Sequence, residues 1–270
     1  MECDYADALI RCQLCHRDMV NRWLNNIQSV LFPPICLLCG SPTSSATSLL
    51  KSGQVSLCKA CQDELPWQSA ACLCCAEPMF ESVATVCGRC LQSPPSFDCS
   101  SVVFRYASPV DFLLRRLKFD GKLVYARLLG ELMTQGILEK RRQLSKLGIA
   151  TDVPDVIIPV PLHPTRLRER GFNQSLELAR WISRALDVPI DFRSCRRVRA
   201  TLTQSLLPLK KRRGNIRRAF AVADDFSARR VAIVDDVMTT AYTVQELASA
   251  LRQTGVEQIE VWCCARASLK

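Results

Sequence analysis

The chain has 270 residues, a formal net charge of +10, ordinary apolar content at 48% and 16 cysteines. No run of about 18 apolar residues occurs, which argues against a membrane-spanning helix, and the first residues, MECDYADALIRC, carry acids where an export signal needs positive charge, so a cytoplasmic protein is expected. In a cytosolic chain of this length, which makes one large or two smaller domains, cysteines spaced two apart are read as metal ligands before disulfides.

Residues 1–31 read as an extension ending in an amphipathic helix. Cys12, Cys15 and His16 spell C-x-x-C-H, the haem-attachment signature, but covalent haem attachment needs export, and Met19 offers a second translation start. From Val20 onward, Trp23, Leu24, Ile27, Val30 and Leu31 fall on one helical face.

Residues 32–95 read as a cysteine module. Cys36-x-x-Cys39 is followed after 18 residues by Cys58-x-x-Cys61, and Cys72-x-x-Cys75 after 11 residues by Cys87-x-x-Cys90. Four thiolates at roughly 2.3 Å complete a closed tetrahedron, so such sites are structural. CLLCGSP followed by LCKAC is echoed by CLCCAEP followed by VCGRC. This duplication predicts a double zinc ribbon with sequential pairing and two Zn²⁺ ions; a crossed pairing is the alternative. Cys74 is read as a bystander, and Cys99, Cys195, Cys263 and Cys264 as buried thiols.

Residues 96–270 alternate strand and helix patterns, which argues for an α/β domain with a parallel sheet flanked by helices. Strands are expected at 101–106, 155–160, 231–234 and 259–265. Helices are expected at 110–119, with Leu113, Leu114 and Leu117 inward and Arg115, Arg116 and Lys118 outward, and at 123–138; residues 140–148 read as a basic surface connection. After the second strand, Pro161 and Pro164 stiffen a loop crowded by Arg166, Arg168 and Arg170, which ends at Gly171. Asn173 is the expected N-cap of the next helix. Between residues 151 and 230 there are 17 Lys and Arg against 8 Asp and Glu, and 193–218 hold ten basic residues and no acid. Such a block attracts phosphate ligands, nucleic acid or acidic partners.

Residues 231–243, VAIVDDVMTTAYT, organise this half. Four apolar residues make a strand buried on both faces, which is expected to stop at Asp235 and Asp236. Thr239, Thr240 and Thr243 follow, then a helix. A helix start beyond a parallel strand suits a phosphate. Two carboxylates cannot hold that phosphate, but they can accept hydrogen bonds from sugar hydroxyls or orient hydrated Mg²⁺. The combination describes a ribose 5-phosphate; paired aspartates at a strand end also occur in receiver domains and Mg²⁺-dependent phosphatases.

The same stretch resembles the 5-phosphoribosyl 1-pyrophosphate (PRPP) loop of type I phosphoribosyltransferases, with Ala241 where that family normally has Gly. With PVPLHPTRLRERGFNQ, the run R-x-T-x-x-Q beginning at Arg199, and the cysteine module, residues 20–266 resemble the ComF family. The resemblance implies a double zinc ribbon followed by a type I phosphoribosyltransferase-like domain acting in natural competence and DNA utilisation. It implies that Asp235 and Asp236 hold the ribose hydroxyls and that Thr239, Thr240, Ala241, Tyr242 and Thr243 cradle the 5-phosphate. Leu162, His163, Pro164 and Thr165 would form the pyrophosphate loop beside Arg166, Arg168 and Arg170. Residues 199–214, including Arg199 and Gln204, would close as a lid. PRPP with Mg²⁺ is the expected ligand and a nitrogenous base the expected acceptor. A zinc-ribbon adaptor binding single-stranded DNA or DNA-uptake and recombination proteins is the second reading, and Ala241 counts against turnover.

Overall fold

Val231, Ala232, Ile233 and Val234 are each no more than 1% exposed. An apolar run buried on both faces belongs inside a parallel sheet, and a computed structural model, which describes residues 35–43, 57–79, 86–148, 152–199 and 218–267, places it there. The described strands are β1 (Cys99–Arg105), β2 (Val156–Pro159), β3 (Cys195–Arg197), β4 (Phe220–Val222), β5 (Arg230–Met238) and β6 (Gln258–Arg266). The main sheet has the order β1-β6-β5-β2 with every pair parallel, and β3 and β4 form a separate antiparallel pair. The described helices are α1 (Lys59–Asp63), α2 (Gly88–Gln92), α3 (Val110–Asp120), α4 (Leu123–Lys146), α5 (Pro164–Arg170), α6 (Gln174–Leu186) and α7 (Tyr242–Gln253). The class expected from the sequence, a helix-flanked parallel sheet preceded by cysteine clusters, is the class observed.

The chain divides into two compact units between Glu64 and Leu65. The smaller unit carries α1 and the first two cysteine pairs. The larger carries the other two pairs and the sheet. In the larger unit α4 packs on β1, α3 and α6, α6 packs on β2 and β5, and α7 packs on β4 and β5. Gly within a helix costs about 1 kcal/mol relative to Ala, yet α4 contains Gly130 and Gly136. A Cβ at Gly130 would lie 2.7 Å from Cβ of Trp181, and one at Gly136 2.7 Å from Val103. The close approach of α4 to α6 and to β1 therefore requires both glycines.

Four expectations are corrected. Strand β5 does not stop at the acids: Asp235 and Asp236 lie inside it, and it ends at Met238 because β6 pairs alongside through Arg266. Residues 140–146 are not a surface connection but the last turns of α4. Arg141 binds both carboxylate oxygens of Glu260 at 3.1 Å, and Lys140 reaches the Ser100 carbonyl. Arg166, Arg168 and Arg170 sit on a short helix rather than a loop, because Pro164 occupies its first turn and His163 caps it. Lys118 does not point outward. Two other expectations hold, and a third holds for three cysteines of four. Gly121 and Gly171 close α3 and α5 in the left-handed conformation, and Asn173 caps α6 by accepting from the Ser175 N–H at 3.0 Å. Cys195, Cys263 and Cys264 are buried, whereas Cys99 is half-buried. The stripe ending at Leu31 and the stretch carrying Gln204 lie outside the described residues.

Candidate functional site

Two sets of four thiols converge, with the sequential pairing that the duplication predicts: Cys36, Cys39, Cys58 and Cys61, and Cys72, Cys75, Cys87 and Cys90. Within each set the Sγ atoms all lie within 4.8 Å of one another. Cys39 and Cys58, and likewise Cys75 and Cys87, have Sγ atoms 3.7 Å apart, the edge length of a tetrahedron with metal–sulfur bonds of about 2.3 Å. Backbone N–H groups support the sulfurs: Cys61 donates to Cys58 Sγ at 3.4 Å and Cys87 to Cys72 Sγ at 3.2 Å. Both sets fit a structural Zn²⁺ with no open position. In the larger unit the second set packs into the same apolar cluster as Ile158, Ile233 and Val261.

Asp235 and Asp236 lie at the carboxyl end of β5, where α6 meets β2. They are 8% and 4% exposed. Asp235 Oδ1 accepts from Ser175 Oγ at 3.0 Å and from the Asp236 N–H at 2.9 Å. Asp236 pairs with Lys118 from α3 and accepts from Gln174 Nε2 at 3.5 Å. Burial, followed by the neighbouring Asp236 charge, pushes the Asp235 carboxyl up to about 7. Burial also opposes ionisation of Asp236, but the Lys118 ammonium outweighs it and holds this carboxyl below the usual range. The pair thus splits into one group ready to hold a proton and one held charged. Both carboxylates are spoken for by protein groups, so a sugar diol would have to displace Lys118.

Beyond the pair, β5 turns into α7. Ala241 adopts φ +62° as N-cap, with no side-chain cap for the helix. This explains why the corresponding position favours glycine: a methyl here costs about 1 kcal/mol, whatever ligand approaches. Thr240 Oγ1 is buried without a hydrogen-bond partner. Uncapped N–H groups and an orphan hydroxyl make a place for an anion.

On the Lys118 side of the acid pair lies a cavity of about 210 Å³, lined by Lys118, Phe119, Gly121, Arg166, Glu169, Arg170 and Phe172. The proximity of Arg170 to Asp236, and of Arg197 on β3 to Asp235 and Arg166, registers in the charge interactions of both guanidiniums. Arg168 and Arg199 are exposed, and His163 Nδ1 accepts from the Thr165 N–H at 3.3 Å. A larger cavity of about 410 Å³, lined by Trp67, Gln68, Val103, Lys140, Leu144 and others, contains none of these side chains.

The structure therefore brings together Asp235, Asp236, Arg166 and Arg170, and it adds Lys118, Gln174, Ser175 and Arg197. The sequence offered a weak signal for Lys118, a cation one residue past the buried Leu117. Gln174 and Ser175, immediately after a predicted N-cap, could have been read as aimed at the strand end.

A model of the double zinc ribbon domain matches residues 27–91. The chain is 38% identical over 215 residues to competence protein F of Haemophilus influenzae, covering 78% of this chain and 90% of the relative. It is 35% identical over 234 residues to the DNA utilization protein YhgH of Escherichia coli K12, covering 87% and 97%. Among solved structures, a purine phosphoribosyltransferase from Pyrococcus horikoshii matches 53% of this chain and 78% of its own at 21% identity and a TM-score of 0.31, a likeness too slight to carry an argument. The thiol clusters and the identity to both relatives along most of their length place this chain in the family of competence protein F and the DNA utilization protein YhgH.

Proposed function

We propose that the chain binds PRPP at the β5–α7 turn and acts as a phosphoribosyltransferase-like protein of DNA uptake and utilisation in the cytoplasm. The observation that carries this reading is the orphan Thr240 hydroxyl at an uncapped helix start, four residues past a buried acid pair whose partner Lys118 lines a cavity with Arg166 and Arg170. Thr239, Thr240 and Thr243, with the N–H groups at the start of α7, would hold the 5-phosphate. Asp235 and Asp236 would accept hydrogen bonds from the ribose 2′ and 3′ hydroxyls once Lys118 moves toward the pyrophosphate. Arg166, Arg170 and Lys118 would then neutralise the leaving pyrophosphate as the sugar becomes cationic, with a nitrogenous base as acceptor. A Mg²⁺ ion arriving with PRPP would supply further neutralisation.

Isothermal titration calorimetry with PRPP and Mg²⁺ tests this reading. Saturable heat that is abolished in Asp236→Asn supports it, and no heat at millimolar PRPP in either the native protein or Ala241→Gly rejects it.

A second reading is favoured by the Lys118–Asp236 pair, which fills the acid site from within. On this reading the domain is non-catalytic, and the protein is a zinc-ribbon adaptor for single-stranded DNA or recombination proteins. Fluorescence anisotropy with single-stranded DNA at two salt concentrations tests it, since binding through phosphates weakens steeply as salt rises.

A further inference from the structure

Arg266, at the end of β6, is 1% exposed. A buried guanidinium needs its charge matched and its donors engaged; in Arg266 both terminal nitrogens are engaged, and Nε alone has no partner. One terminal nitrogen, Nη1, donates to the Met238 carbonyl at 3.0 Å and to that of Thr239, the residues that lead β5 into the 239–243 turn. The other, Nη2, pairs with Glu77 Oε2 at 2.5 Å. Glu77 lies two residues past the metal-ligand candidate Cys75. Arg89, on α2 between Cys87 and Cys90, closes the chain of contacts: its Nη2 is 3.6 Å from Glu77 Oε2 and 3.6 Å from Cys75 Sγ. A continuous path of charged contacts therefore runs from the second thiol set to the turn, within one compact unit.

The internal repeat isolates what is special about this path. In both copies the first cysteine's N–H bonds the carbonyl five residues on, Cys36 to Ser41 at 2.8 Å and Cys72 to Glu77 at 2.9 Å. Glu77 thus occupies the position that Ser41 holds in the first copy. The knuckle does not need an acid there, since Ser41 serves equally well, so the Glu77 carboxylate is accounted for by Arg266. Holding the carbonyls of Met238 and Thr239 also fixes where the opposite edges of those planar peptides point. The N–H groups of Thr239 and Thr240 are thereby aimed away from Arg266.

We propose that Arg266 is a positioning residue for the 239–243 turn, oriented through Glu77 and Arg89 so that metal held by Cys72, Cys75, Cys87 and Cys90 sets the shape of that turn. The link itself rests on contacts between residues; only its effect on ligand affinity rests on the ribose-phosphate reading above.

Hydrogen exchange on the full-length, zinc-loaded protein tests the link, with amides of residues 231–234 as internal reference. In Glu77→Gln, zinc content is expected to stay unchanged while exchange across 239–243 rises about tenfold against that reference. Arg89→Gln, a change at a half-exposed side chain, is expected to produce a smaller rise in the same segment, and Glu77→Asp to restore part of the protection. Unchanged exchange of 239–243 in Glu77→Gln overturns the proposal, as does unchanged exchange of that segment in Arg89→Gln. If Glu77→Gln does not fold, Glu77→Asp and Arg89→Gln carry the same expectation and the same power to overturn it. A parallel titration with ribose 5-phosphate is expected to show about tenfold weaker binding in Glu77→Gln. Absence of binding in the native protein would reject the ribose-phosphate reading and leave exchange to decide the link.

Discussion

The two thiol sets are copies in sequence and unequal in structure. Each knuckle closes the same way, with Gly40 N–H donating to the Cys36 carbonyl and Ala76 N–H to the Cys72 carbonyl, both at 2.9 Å. Yet the first set has one buried cysteine of four and belongs to the unit ending at Glu64, whereas the second has three and shares a core with β2, β5 and β6. A duplication preserves the chemistry of a metal site, but the surroundings decide what depends on it. The first site lies within the smaller unit. The second has become part of the sheet unit's interior.

That contrast is sharpest at the ligands themselves. Cys72→Ser is expected to lower the stability of the sheet unit by more than about 5 kcal/mol, because metal binding free energy is folding free energy where the site belongs to the core. Cys36→Ser is expected to leave the sheet transition in place. Calorimetric melts of both variants check this, and equal losses would erase the distinction.

Next in size is a device of the sheet unit, a buried ion pair with no counterpart among the described residues of the small unit. Lys118→Met leaves Asp236 buried without its cation and is expected to cost about 3–5 kcal/mol in the sheet transition alone, measured by urea unfolding. Asp235 provides a pH counterpart. A carboxyl pushed up to about 7 from 3.8 binds its proton more readily folded than unfolded. Its contribution therefore makes the native state progressively less stable as pH climbs from about 4 to about 7, and the loss is complete above that. Against Asp235→Asn, the native protein is expected to lose about 2–4 kcal/mol over that window, at about 1.4 kcal/mol per pH unit. A flat difference would place the carboxyl at its ordinary value.

The smallest effect compares the copies at one backbone position. Gly40 has φ +73° and its counterpart Ala76 φ +52°. Gly40→Ala is expected to destabilise and Ala76→Gly to stabilise by about 1 kcal/mol each, in opposite directions, with thermal melts as the check. Ala241→Gly, at the turn with φ +62°, belongs with the second and is expected to stabilise by a similar amount.

The cysteine spacing made the thiol sets legible in sequence because the ligands of each pair are local, and the repeat made their pairing legible. Strand β5 was legible as an apolar run, but its true end was not. Two adjacent acids read as a stop only until a partner for them is known, and that partner, Lys118, lies on a helix more than a hundred residues earlier. Lys118 itself looked solvated because charge at helical spacing carries no record of what the facing strand presents. The last turns of α4 were misread for the same reason: Arg141 and Lys140 find Glu260 and the Ser100 carbonyl only after the sheet has formed. What the sequence withheld is every charge whose counter-charge is distant along the chain.

Cys39 is the one exposed thiol among the described cysteines. Among the described cysteines, peroxide or an electrophile would meet that sulfur first, as attack follows accessibility and thiolate character. Ageing samples should accordingly shed the ion of the first thiol set while the second set keeps its own, and a stoichiometry drifting from two toward one would record chemical wear and not a lower native occupancy.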